Sequence, residues 1–191
     1  MALTKTSVVD SALDLLREAG LPGMSMRTLA TRLGVQPSAL YWHVPSKQAL
    51  LTAVAERVLA TMGPVGAAGS AAGELRAIGT ALRAAVTGVP DGAEIVALGL
   101  AAGAVNPVAE VVEAACTRHG LGGRAAGLTT ALTAYVLGLS LEEQTHHNLA
   151  VADPATPPVE FDARFSAGLE ALLAGALAFS VVDRRRERRC A

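Results

Sequence analysis

Gln36 to Leu51, QPSALYWHVPSKQALL, sets Tyr41, Trp42 and His43 side by side in a chain of 191 residues whose aromatic content is 3%. Neighbours on a helix diverge by about 100°, so three consecutive rings cannot all enter one core and at least one faces outward. Pro37 suits the first position of a helix, where its missing N–H costs nothing. Pro45 forbids continuation, and Ser46 can cap the helix that follows. The stretch therefore reads as a short helix from Pro37 to about His43, then a second over 47–62 with Leu50, Leu51, Val54, Val58 and Leu59 on its apolar side.

Upstream, Thr4 or Thr6 can cap a helix whose apolar positions Val9, Ala12, Leu13, Leu16 and Ala19 fall on one face. Gly20 ends it and Leu21-Pro22-Gly23 turns the chain. Ser25 caps a short second helix with Leu29, Ala30 and Leu33 inward, which Gly34 stops. Two short helices joined by a tight glycine-containing turn, after a longer supporting helix, make a helix-turn-helix, and the second is the one offered to a DNA major groove. Leu40 is its natural inward anchor. Tyr41, Trp42 and His43 then fan out where phosphates, sugars and thymine methyl groups lie. The structural alternative is that Trp42 packs against the first helix.

A hydrophobic share of 51% excludes a disordered chain, and an Ala, Leu, Val and Gly-rich composition with 17% charge suits close-packed helices. An all-α protein is expected. The net charge of −1 is unevenly spread. Residues 1–63 carry six Lys/Arg against four Asp/Glu, residues 64–183 carry five against twelve, and Arg184 to Arg189 holds five arginines and one glutamate. One end can thus approach a polyanion. Cys116 and Cys190 fit neither a disulfide framework nor a metal site, which points to a reducing cytoplasm. No signal-peptide pattern is read, and the apolar run Ala171 to Val182 is too short to span a bilayer. A soluble cytoplasmic protein without membrane partners is expected.

Gly63 to Gly73 reads as a break between modules. Helices follow over about 74–87, 93–104, 107–119, 123–148 and 161–183, with a loop at Ala152 to Val159. The domains expected are a helix-turn-helix unit at 1–46, a connecting helix at 47–62 and a larger helical body at 63–191.

With TLATRLGVQPSALYWHVPSKQALLTAVA in view, the first 60 residues resemble the tetracycline repressor (TetR) family. DGA at Asp91 to Ala93, LGLSLEEQ at Leu137 to Gln144 and FSAGLEALLAG at Phe165 to Gly175 extend the resemblance into a tetracycline-repressor-like C-terminal part. The resemblance implies a homodimer of ligand-responsive repressors on a palindromic double-stranded DNA operator. The subunits would join through a four-helix bundle, here the helices over about 123–148 and 161–183. Gly138, Gly168 and Gly175, amid Ala and Leu, agree with close helix approach.

The residues assigned to DNA are Arg27, Thr28, Gln36, Pro37, Ser38, Ala39, Tyr41, Trp42, His43 and Lys47. A cation at a helix N-terminus opposes the helix dipole, so Arg27 and Lys47 gain from a nearby phosphate or base, the alternative being a solvated face. Gln36 is the base-edge donor and acceptor of the leading turn, and Pro37 and Ala39 offer apolar contact to thymine methyls. Tetracycline-binding members carry polar side chains where this chain has Pro37 and Ala39, so a different operator is expected.

Those members hold their ligand with His, Asn, Thr and Arg side chains and a magnesium ion. The comparable positions here are Gly63, Ile78, Leu82, Val96 and Ala134, with Glu142 alone keeping a carboxylate. One carboxylate makes a poor magnesium site, so neither metal nor cofactor is expected. An apolar or amphipathic organic effector is expected instead, against Met62, Ile78, Leu82, Val96, Tyr135, Leu139 and Glu142, the alternative being that these are plain core. His146 and His147 point apart and lack a third ligand, which argues against metal. No paired carboxylates, Ser/His/Asp set or phosphate loop is present, so an enzyme is not expected. An effector-independent DNA-binding protein and a helical small-molecule carrier or enzyme remain the alternatives.

Overall fold

Capping chemistry places the first four helices. The Thr4 hydroxyl accepts from the Ser7 N–H while the Ser7 hydroxyl accepts from the Thr4 N–H, opening α1 (Lys5–Gly23). Ser25 opens α2 (Met26–Leu33) by accepting from Thr28 N–H, and Gly34 closes it in the left-handed conformation at φ 67°. Pro37 starts α3 (Pro37–Tyr41), and Ser46 opens α4 (Lys47–Leu59) by accepting from Ala49 N–H. The computed structural model describes residues 3–187, with side chains as far as 178, so the side chains of the Arg184 to Arg189 run and Cys190 lie outside the described residues. Among the described residues the remaining elements are α5 (Ala71–Thr87), α6 (Gly92–Ala101), α7 (Pro107–Arg118), α8 (Ala125–Ala152) and α9 (Phe161–Glu187), with no strand.

Several boundaries differ from those expected: α5 starts three residues earlier, α6 ends three residues earlier, and α8 and α9 each run four residues further. The third helix ends at Tyr41 because the N–H groups of His43 and Val44 both donate to Leu40 O at 2.9 Å, closing it two residues early. The helix expected over 47–62 gives way at Ala60 to a single 3-10 turn, Ala60–Met62. Gly20 interrupts α1 at φ 62° as its position predicts, and one further turn runs to Gly23.

The chain forms two compact units, residues 1–62 with 84–106, and residues 63–83 with 107–191. In the first, α1 packs on α2 and α4, α2 on α3, and α4 on α6. Val8, Ala12, Leu16, Leu29, Leu40, Leu50, Val54 and Ile95 are fully or almost fully buried there. Residues 84–106, assigned by the sequence to the C-terminal body, join this unit because Gly99 lets α6 approach α4. A Cβ at Gly99 would lie 2.2 Å from the Ala55 Cβ. Glu56 accepts from Val105 N–H at 3.3 Å, and the Asp91 carboxylate accepts from Leu21 N–H at 2.7 Å. That second bond satisfies a donor stranded by the break at Gly20.

In the second unit α7 and α9 pack on α8. Leu75, Ile78, Val112, Leu132, Val136 and Leu169 are buried. The Tyr135 hydroxyl donates to Phe165 O at 2.7 Å, its ring stacks on Phe165, and Gly168 makes room for it. Arg83 lies 4.7 Å above the Phe165 ring and bridges Glu143 at 2.9 Å and Asp162 at 2.7 Å. Glu74, 1% exposed, accepts from Ala68 N–H and from the Arg118 guanidinium, with His119 Nε2 3.2 Å away. Burial pushes the Glu74 carboxyl up, but Arg118, the Ala68 N–H and His119 outweigh it and hold it below the usual carboxylate range. The helix from Gly122 to Ala152 is long and apolar enough to cross a bilayer, and only a minority of its most apolar stretch is buried.

Candidate nucleic-acid interface

The tip of the helix-turn-helix is built by one anchor and two exposed rings. Leu40 is 0% exposed and Val44 1%, which pins α3 and the turn behind it to the unit's core. Between these anchors Tyr41 is 49% exposed and Trp42 89%. The alternative of Trp42 packing against the first helix is thereby excluded, and the chain's single tryptophan stands in solvent. An indole left almost bare forgoes roughly 1.5–3 kcal/mol of burial free energy, judged by other large side chains.

The other candidates lie on α2, α3, the turn after α3 and the start of α4. Gln36 occupies the N-cap position of α3 without a side-chain capping bond, and Gln36, Pro37 and Ser38 are exposed, while Ala39 and His43 are half-buried. On α2, Arg27 and Thr28 are exposed, the Thr28 hydroxyl lying 2.6 Å from that of Ser25. Lys47 opens α4 on the solvent side, where the first N–H groups of a capped helix favour an anion. Two features were missed in the sequence. Gln48 is exposed beside Lys47, a position that the Ser46 cap alone makes legible. Arg32 is held by Glu18 of α1 through two bonds of 2.5 and 2.7 Å, a pair too far apart in sequence for any local pattern to reveal. The shared bonds hold the Glu18 carboxyl low and push the Arg32 guanidinium up.

The residues proposed for an effector do not share one unit. Met62 and Val96 fall in the first, the former half-buried and the latter fully buried. Ile78, Leu82, Tyr135, Leu139 and Glu142 fall in the second. Ile78 and Leu82 are buried, Leu139 is half-buried, and Glu142 is exposed and paired with Arg164 at 2.7 Å. Among the described residues no group of three His, Cys, Asp or Glu side chains is placed to hold a metal.

Comparison with known proteins bears on this tip directly. Residues 8–54 match the profile of bacterial regulatory proteins of the tetR family. The class A tetracycline repressor from transposon 1721 and the class D repressor, both of Escherichia coli, are 55% and 50% identical over 58 residues. In each case the match spans 30% of this chain and 27% of the repressor's length. Solved structures match over most of the chain. BioQ of Mycobacterium smegmatis has a TM-score of 0.82 at 31% identity, covering 93% of this chain and 99% of that one. This chain belongs to the TetR family. A TetR variant of Acinetobacter baumannii AYE in complex with minocycline agrees, with a TM-score of 0.76 at 34% identity over 93% of this chain and 98% of that one. BioQ has also been solved with its natural double-stranded DNA operator, at a TM-score of 0.72 and 32% identity over 92% of this chain and 98% of that one. TetR-family membership makes the chain a transcriptional regulator rather than an enzyme.

Proposed function

We propose that this chain is a ligand-responsive transcriptional repressor that acts in the cytoplasm as a homodimer on a palindromic DNA operator and is released by a small apolar or amphipathic effector. The observation that carries the reading is the exposed Trp42–Tyr41 tip between anchored neighbours, flanked by Lys47 and Arg27. The operator bound by BioQ and the minocycline bound by the Acinetobacter regulator support the two halves of the reading. Arg27, Thr28, Gln36 to Ala39, Tyr41, Trp42, His43 and Lys47 supply the DNA contacts. Two such tips enter successive major grooves when held about 34–36 Å apart.

Subunit contact through α8 and α9 is supported by Leu141 and Leu149, large aliphatics of α8 left in solvent. We read the apolar surface of α8 as a subunit contact rather than a bilayer span, because Glu142 and Glu143 sit on it in ion pairs with Arg164 and Arg83. Effector contacts are assigned to Ile78, Leu82, Tyr135 and Leu139 of the second unit. An effector that favours a different spacing of the two tips lowers operator affinity by its differential binding to the two states. The connecting helix α4 is the coupling element. Its first turn bears Lys47, and its later turns are clamped to α6 by the Gly99–Ala55 approach and the Glu56 bond.

The test is selection of duplexes from a random library, followed by gel shift and sedimentation. A sequence with two-fold symmetry, bound by a dimer and lost in Tyr41→Ala and Lys47→Ala, is the expected result. Unchanged shifts in both variants overturn the reading.

A further inference from the structure

A hydroxyl inside a helix has an acceptor at hand, the carbonyl four residues back. Thr31, Thr52, Thr80 and Thr130 all take it, donating to the carbonyls of Arg27, Gln48, Arg76 and Ala126 at 2.9 or 3.0 Å. Two hydroxyls of α8, both in the second unit, do not. Ser140 is 0% exposed and Thr133 9%, and among the described residues neither the Ser140 Oγ nor the Thr133 Oγ1 meets a hydrogen-bond partner within the protein. A hydroxyl taken out of water without a partner is a net cost to the folded state.

The two groups are also placed together. Seven residues make nearly two helical turns, so Thr133 and Ser140 share one stripe of α8 and stand about 10 Å apart along its axis. Val136, fully buried, lies between them, and Leu132 is buried beside Thr133. No charged residue of α8 is buried with them. Both hydroxyls are covered within a single subunit, so a second copy seated on the exposed Leu141 and Leu149 does not supply the missing partners.

We propose that Thr133 and Ser140 are the polar anchors of the effector site, and that the effector is bipolar. It is an elongated molecule with an aliphatic middle and an uncharged hydrogen-bonding group at each end, the two ends about 10 Å apart. A hydroxyl both donates and accepts, so an alcohol, a carbonyl or an amide serves at either end, whereas a charged end finds no buried counter-charge on the stripe. The proposal rests on the effector reading above and narrows that effector to one chemical class.

The experiment uses the full-length chain and the linear α,ω-diols from butanediol to dodecanediol. In thermal melts of wild type, stabilisation is expected to pass through a maximum near heptanediol and octanediol, whose ends match the spacing of the hydroxyls, rather than to rise steadily with chain length. Unliganded Thr133→Val and Ser140→Ala are expected to melt at or above the wild-type temperature, since each removes an unpartnered hydroxyl at little change in volume. In both variants the Kd for octanediol is expected to rise roughly tenfold and the maximum to give way to a steady rise. The length series needs no variant, so it decides even where one of them fails to fold. Three results overturn the proposal: melting temperatures that fall in both unliganded variants, which would show the hydroxyls bonded inside the fold or through buried water; a wild-type series without a maximum; or a maximum that persists in both variants. Gel shifts on the selected operator test the reading beneath. A diol that stabilises at the maximum and leaves the operator bound keeps the two-hydroxyl site and overturns its role in release.

Discussion

Two tyrosines of this chain live opposite lives. Tyr41, in the first unit, leaves about half its surface in water beside a bare Trp42, while the fold around it is closed by aliphatic side chains. Tyr135, in the second unit, lies against Phe165 with its hydroxyl on an α9 carbonyl, and Gly168 gives way to it. The scarce rings therefore divide into a set left bare at the tip of the first unit and a set held between the helices of the second. Packing supplies the distinction. A ring whose neighbours carry no matching recess stays outside and is available to a partner, whereas a ring opposite a glycine is captured.

The sharpest way to test this division is to remove an anchor. Leu40→Ala deletes a fully buried side chain from beneath the exposed rings and is expected to cost about 2–5 kcal/mol in a denaturant or thermal melt. A cost under about 0.5 kcal/mol would place Leu40 with the surface positions and dissolve the contrast. Tyr41→Ala is expected to do the reverse. Melting stays within about 0.5 kcal/mol of wild type, and operator affinity in a titration falls by about tenfold or more. Trp42 reports the same event, because the chain's single tryptophan is open to a soluble quencher such as iodide and is expected to be shielded when the operator binds.

Tyr135→Phe sharpens the other side. Loss of the hydroxyl bond to Phe165 O is expected to destabilise by about 1 kcal/mol and leave operator affinity unchanged, as read in parallel melts and titrations. The smallest effect is expected at Glu74. Its folded-state carboxyl titrates below the usual carboxylate range, so its contribution is complete above that range and is lost as pH falls from that range down through the lowered folded-state value. Glu74→Gln is accordingly expected to melt a few degrees below wild type at neutral pH, with the difference closing on acidification. A gap that widens in acid would reverse the assigned direction.

Much of the first unit was readable in order along the chain, because its punctuation is local. Ser25, Gly34, Pro37 and Ser46 each act within four residues, and each sits where the structure starts or stops a helix. The same locality made the exposed tip legible as a candidate interface. The early end of α3 was not, since it depends on two N–H groups converging on one carbonyl. Nor did any local pattern signal that Arg32 is occupied by Glu18, that Asp91 reaches Leu21, or that α6 rests on α4, because each joins positions distant in sequence.

By itself the sequence determined an all-helical chain, the positions of most helix ends and the presence of rings that cannot all be buried, since caps, breakers and the helical period are properties of neighbouring residues. Only the tertiary structure decided which rings are bare, which arginine is engaged and which unit owns residues 84–106. Those outcomes depend on what packs opposite a side chain, and the residue opposite is set by the path of the whole backbone.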